Sequence, residues 1–124
     1  MDTLRAEKME ALEAARDYSE RLKRGMQTVA EALHTNNRDA DIETLLKQCI
    51  DGLNWVIEIF NRTSDVLNEE GIQIQKEQIN QSVMELSAAL REDDGSKIAD
   101  CFESGVMPFL EELCQAVVKI QNNN

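Results

Sequence analysis

The chain of 124 residues is poor in the residues that typify sheet-based and disulfide-stapled folds. Aromatic residues make up 4% of it, and it contains one proline, five glycines and one histidine. Its core must therefore consist of Leu, Ile, Val, Met and Ala, the usual composition of packed helices. The length suits one domain, which we assign to residues 1–121. A polar tail at residues 122–124 has no apolar side chain to bury, and we expect it to fray.

The sequence also lacks the segments that would direct it into or across a membrane. No apolar run reaches the length of about 20 residues that a membrane-spanning helix requires, and the run at residues 55–60 is interrupted by Glu58. The first residues carry acids where a signal peptide carries basic residues followed by an apolar stretch. The cysteines Cys49, Cys101 and Cys114 lie on or beside apolar positions, which indicates reduced structural thiols. We therefore expect a soluble cytoplasmic protein.

Apolar residues recur three and four positions apart along most of the chain, which is the period of amphipathic helices. Polar runs interrupt this pattern at residues 34–39 and 92–96, and Gly71 interrupts it between them. The sequence therefore predicts helices over about residues 3–34, 40–70, 72–91 and 97–121. Because short connections make neighbouring helices antiparallel, the predicted fold is an all-α antiparallel four-helix bundle.

Several residues at the predicted helix ends are of the types that stabilise such ends. Asp39 can cap the second helix by accepting a backbone hydrogen bond, and Ser96 is the predicted cap of the fourth. Gly71 can adopt the left-handed conformation of a Schellman motif and so end the second helix. Pro108 has no backbone donor and disfavours helical geometry at the residue before it. We therefore expect the last helix to be kinked or broken near Pro108.

The residues that could carry catalysis do not form a recognisable site in the sequence. Glu31 and His34 have the Glu-x-x-His spacing of ferritin-like metal bundles, but a dinuclear site needs two such pairs and this chain has one histidine. The residues after His34 also differ from the His-x-x-Lys-Gly type of phosphotransfer domains. Asp100 and Glu103 lie outside the apolar stripes, where carboxylates are solvated. We predict no catalytic residue, cofactor or metal site. The alternative is a phosphotransfer or metal-dependent enzyme that uses His34 and acidic residues.

The acidic balance indicates the kind of partner that the surface would bind. The formal net charge is −11, and residues 40–124 carry sixteen acidic against six basic residues. Such a surface repels nucleic-acid phosphates and anionic lipids, so we predict binding to neither. It favours a basic or mixed protein partner. A tryptophan beside carboxylates and amides can anchor such an interface. The predicted partner-binding residues are Trp55, Asp100, Glu103, Pro108 and Glu111.

Residues 97–113 resemble a segment of small bacterial all-helical proteins of uncharacterised function. The shared pattern is the pair Ala99 and Asp100, then Glu103 and Pro108, followed by apolar residues and acids. The resemblance implies a bacterial origin and a kinked last helix. In size and charge the chain is also similar to bacterial secretion and flagellar-export chaperones, which hold a partner's amphipathic helix in an apolar groove. A kink at Pro108 would open such a groove.

We therefore predict a non-enzymatic protein-interaction module, either a chaperone or an adaptor, that binds a partner protein. Self-association as a homodimer through the first two helices is a further expectation. It follows from the sparse apolar stripe at the start of the first helix, which a second copy or a partner could cover.

Overall fold

The computed structural model describes residues 3–122, and every regular element in that range is a helix. The all-α class predicted from the sequence is therefore confirmed. No helix within these residues is both long and apolar enough to cross a lipid bilayer. Of the predicted tail, Asn122 is the last residue of the final helix, and residues 123 and 124 lie outside the described part. The elements in chain order are α1 (Thr3–His34), α2 (Ala40–Arg62), α3 (Ser64–Glu69), α4 (Lys76–Glu92), α5 (Gly95–Cys101), a π-helical turn (Phe102–Val106) and α6 (Met107–Asn122).

The predicted apolar stripes of the first, second and last helices form the core. In α1 every stripe residue from Leu12 to Leu33 is buried. The stripe of the last helix is buried from Ile98 to Ile120. Helix α1 contacts α2, α5 and α6, whereas α4 contacts α5 and the π turn. The long first helix is therefore the element around which most of the others pack.

Two predicted helix ends are confirmed in atomic detail. The carboxylate of Asp39 accepts a hydrogen bond from the backbone nitrogen of Ile42 at 2.9 Å, which caps α2. Gly71 has a φ of 72°, and the backbone nitrogen of Ile72 donates to the carbonyl oxygen of Leu67 at 3.0 Å. That bond closes a Schellman motif, which needs a residue without a Cβ clash at the left-handed position.

The prediction of one helix over residues 40–70 was wrong, because the chain bends at Thr63. Helix α2 ends directly before this residue and α3 begins directly after it. The buried hydroxyl of Thr63 donates to the carbonyl oxygen of Ile59 at 2.7 Å. Threonine side chains that bond back to the preceding turn compete with the helical hydrogen-bond pattern and bend helices. After the bend, Asp65 of α3 pairs with Lys8 of α1 at 2.7 Å.

Two further predicted boundaries are also corrected by the structure. Helix α4 begins at Lys76 rather than at residue 72, because its N-cap residue Gln75 has an extended backbone. The cap of α5 is Asp94 rather than Ser96, since the Asp94 carboxylate accepts a hydrogen bond from the backbone nitrogen of Lys97 at 3.2 Å. A carboxylate also interacts favourably with the positive end of the helix dipole. A serine hydroxyl carries no charge, so its interaction with the dipole is weaker.

The predicted irregularity near Pro108 is a π-helical turn and not a break. In this turn the backbone nitrogen of Met107 donates to the carbonyl oxygen of Phe102, five residues back. A proline ring in a regular α-helix clashes with the carbonyl four residues earlier, here that of Ser104. A wider π turn moves this carbonyl, so α5 continues into α6 with both halves of the apolar stripe on the core side.

The three cysteines are free thiols, as the sequence predicts. Cys49 and Cys114 are buried, and burial raises the pKa of each to about 11. Cys101 is half-buried, and burial together with the charge of Glu85 raises its pKa as well. Because the thiolate is the reactive form, all three are weak nucleophiles at neutral pH.

We predict that alkylation with iodoacetamide at neutral pH modifies Cys101 first. Cys49 and Cys114 should react only as the protein unfolds, because they are buried and protonated. Peptide mass spectrometry over a time course would measure the order in which the three cysteines are alkylated. Urea-unfolded protein would serve as the control. Modification of Cys49 in the folded protein as fast as Cys101 would contradict this assignment.

We predict that Leu53→Ala and Phe60→Ala each lower the free energy of unfolding by about 2–5 kcal/mol. Both side chains are buried in the middle of the α2 stripe, where a cavity cannot easily collapse. Asp51→Ala on the exposed face of the same helix should change it by less than about 0.5 kcal/mol. Urea denaturation of the three variants measures the difference. Small and equal losses in the free energy of unfolding at all three positions would show that the apolar stripe of α2 is wrongly placed.

Candidate functional site

A groove with a volume of about 610 Å³ lies between α4 on one side and the π turn and start of α6 on the other. Two of its lining residues, Ile79 and Phe109, are buried and form an apolar floor. Ile74 and Pro108 add apolar surface nearer to solvent. The groove therefore offers an apolar strip beside the proline that the sequence singled out.

A glycine in the π turn brings α4 close enough to form one wall of this groove. A Cβ atom on Gly105 would lie 2.5 Å from Oγ and 2.9 Å from Cβ of Ser82 on α4. Only glycine avoids this overlap, so the two segments are in direct contact at this point. The Ser82 hydroxyl donates in turn to the carbonyl oxygen of Gln78 at 3.0 Å, which holds its side chain against its own helix.

The charged side chains that line the groove all have the same sign. They are Glu77 and Glu85 of α4 and Glu112 of α6, and all three are exposed. Glu85 accepts a hydrogen bond from the amide of Gln81 at 3.2 Å, which leaves its charge in place. No basic residue is among the lining residues. Carboxylates on facing walls create a negative potential that attracts cationic groups. The remaining polar lining residues are Gln75, Gln78, Gln81, Ser82 and Ser104.

Of the five residues predicted to bind a partner, Pro108 lines this groove and the other four do not. Glu111 lies on the exposed side of α6 and pairs with Lys23 of α1. Its hydrogen bond with Lys23 lowers the pKa of Glu111 below its ordinary value. Glu111 therefore takes part in the contact between α1 and α6, and its binding to a partner stays a prediction.

Trp55 lies on α2, with 41% of its surface exposed. Its ring meets that of Tyr18 of α1 edge-on, with ring centroids 5.4 Å apart. Gly52, one turn earlier, leaves the space that the Tyr18 ring occupies, since a Cβ there would lie 2.2 Å from the tyrosine oxygen. Trp55 therefore covers the seam between α1 and α2, which is a different surface from the groove.

Asp100 and Glu103 are brought together with His34, a cluster that the sequence did not predict. His34 is the last residue of α1. Its Nε2 atom lies 2.5 Å from Oε1 of Glu103 and 4.0 Å from Oδ1 of Asp100. All three side chains are exposed, and one ligand atom from each lies within 4.8 Å of the others. The two carboxylates are therefore exposed, as expected from their position outside the apolar stripes, and they converge on one histidine.

The sequence did not predict the groove glutamates, because they are spread over two helices that become neighbours only in the fold.

The π turn, in contrast, has two signals in the sequence. Ile98, Phe102 and Val106 follow one another at two successive steps of four, which exceed the 3.6 residues of an α-helical turn. Gly105 stands inside a helical pattern, where a glycine often has a packing reason.

A family model described as a domain of unknown function, DUF8042, matches residues 10–116 of the chain. The chain belongs to this family. The match begins within α1 and ends within α6, so the family domain includes both the groove and the His34 cluster. No curated protein and no solved structure matches the chain.

We predict that Gly105→Ala separates α4 from the π turn and lowers the free energy of unfolding by about 1–3 kcal/mol, the usual cost of overpacking. Ser82→Gly should relieve the overlap, because the new methyl group would then meet no Cβ. In urea denaturation the double variant should therefore lose less free energy of unfolding than the two single variants lose together. Simple additivity would contradict the close contact between these residues.

Proposed function

We propose that this chain is a non-enzymatic interaction module that binds a basic amphipathic helix of a partner protein in the groove. The observation that carries the proposal is the combination of an apolar floor with charged lining residues that are all glutamates. A helix with apolar residues on one face and Lys or Arg beside them would match both features. A chaperone or an adaptor would use such a site to hold a partner segment.

The dimensions of the groove favour a peptide over a small molecule. Its lining residues from Gln75 to Glu85 extend over about 15 Å at 1.5 Å per residue, which is the length of two to three helical turns. Small-molecule pockets are usually enclosed and mainly apolar. Here most of the lining side chains are amides, hydroxyls and carboxylates that face solvent, as at the rim of a protein interface.

The alternative of a phosphotransfer enzyme has less support than the interaction module. His34, the one histidine of the chain, does not line the groove and has two carboxylates beside it. A phosphoryl group on this histidine would carry nearly two negative charges and would be repelled by Asp100 and Glu103. Among the groove-lining residues there is no His, Cys or Lys that could act as a nucleophile.

The helices are proposed to form an antiparallel four-helix bundle in which α2 with α3, and α5 with α6, each count as one member. The short connections support this arrangement. We also propose a cytoplasmic location in a bacterium, which the free thiols and the resemblance of residues 97–113 support. The net charge of −11 supports the absence of binding to nucleic acid and to anionic membranes. A homodimer would cover Leu4 of α1, which is 57% exposed.

The proposal is tested with a fluorescein-labelled synthetic helix of about 18 residues that has leucines on one face and lysines on the other. Fluorescence anisotropy would measure its affinity for the full chain at two salt concentrations. We expect saturable binding that weakens with salt. The triple variant Glu77→Lys, Glu85→Lys and Glu112→Lys should bind at least about tenfold more weakly and lose most of the salt dependence.

The matched control reverses the same number of charges on α1, with Glu7→Lys, Glu10→Lys and Glu13→Lys. These positions are exposed and lie outside the groove. The control variant should keep most of the affinity, and circular dichroism would check that both variants remain helical. Equal weakening in the two variants would show that the peptide binds the acidic surface in general. Either that result or no binding at all would refute the groove as the docking site.

A further inference from the structure

The cluster of His34, Asp100 and Glu103 joins three metal-ligating side chains from two separate helical segments. Asp100 is in α5 and Glu103 is in the π turn, and the two are one helical turn apart on the same side. His34 approaches them from the end of α1. The contact between α1 and α5 places the imidazole nitrogen beside both carboxylates. The fold thus assembles a mixed nitrogen and oxygen donor set, not merely a group of surface acids.

The donor types select for a class of metal ion. An imidazole nitrogen with two carboxylate oxygens suits Zn²⁺ and related divalent transition metals, whereas Mg²⁺ and Ca²⁺ prefer oxygen donors alone. Two carboxylates also balance the charge of a divalent cation. Glu31 lies one turn before His34 and lines the same small recess as Glu103. Its carboxylate adds to the negative charge around the cluster.

The distances between the donors are close to those that a bound ion requires. Zinc bonds of about 2.0–2.2 Å in a tetrahedron place neighbouring ligand atoms about 3.3 Å apart. The His34 and Glu103 atoms at 2.5 Å would open by less than an ångström, and the His34 and Asp100 atoms at 4.0 Å would close by a similar amount. All three side chains are exposed, so rotation about their own bonds can make these changes without disturbing the core.

We propose that His34, Asp100 and Glu103 bind one Zn²⁺ ion, with water completing its coordination. The ion would replace the direct hydrogen bond between His34 and Glu103 and would join the end of α1 to the start of the π turn. Neither His34 nor the two carboxylates line the proposed docking groove, so the metal site does not depend on the proposed function.

The test is a titration of the full chain with zinc chloride in a buffer that does not bind metals. Because His34 is the one histidine, its imidazole proton resonances report on this site directly in an NMR spectrum. We expect these resonances to shift saturably as one equivalent of Zn²⁺ is added, with calorimetry giving the same stoichiometry. A large excess of Mg²⁺ should not displace the zinc. His34→Gln and Glu103→Gln should each weaken the affinity by more than about 100-fold, since loss of a second-shell partner alone costs 10- to 100-fold.

Two controls separate this site from other sources of zinc binding. Asp51→Asn removes one exposed carboxylate elsewhere and should leave the affinity unchanged, as should Cys101→Ser, which removes the most accessible thiol. The proposal is overturned if zinc does not bind, or if binding survives His34→Gln and Glu103→Gln. It is also overturned if Asp51→Asn or Cys101→Ser weakens the affinity as much as the two ligand variants do.

Discussion

The apolar stripe of the last helix has to pass Pro108 without interruption, because α1 packs against it on both sides of this proline. The stripe from Ile98 to Ile120 is buried over its whole length, and α1 packs against α5, the π turn and α6. A regular α-helix would force the Pro108 ring against a backbone carbonyl, whereas a break would divide the stripe. The π turn resolves this conflict with a wider turn that keeps both halves facing α1.

Both candidate sites are consequences of this turn. Its Gly105 lies against Ser82 of α4, and that contact forms a wall of the groove beside Pro108. Its Glu103 meets His34 at the end of α1. This one irregular segment therefore contributes to two sites. One is the groove with its apolar floor and acidic walls, and the other is the cluster of nitrogen and oxygen donors around His34. This agrees with the general observation that π turns inside helices are frequent at functional sites.

Local patterns in the sequence were sufficient for the helical class, for several helix ends and for the core, because helical periodicity and capping act over a few residues. Gly71 and Asp39 illustrate this, since each stabilises a helix end through contacts within its own turn. Thr63 misled the prediction because it occupies a stripe position, and its hydrogen bond back to the preceding turn has no periodic signature. The two sites could not be predicted from the sequence, for a different reason. The charges of the groove and the ligands of His34 converge only through contacts between distant helices, which one sequence does not specify.

If the π turn holds one extra residue while the stripe stays in register, single-residue deletions inside the turn and beyond it should have different effects on stability. Urea unfolding would be measured for deletion of the exposed Ser104 within the turn and of the exposed Glu112 within α6. Both deletions would be made with Pro108→Ala, so that an uninterrupted helix can form. We predict that removing Ser104 leaves a cooperative transition near that of Pro108→Ala alone. Removing Glu112 should rotate the rest of the stripe by about 100° and abolish much of the stability. Equal destabilisation by both deletions would show that the turn does not hold an extra residue.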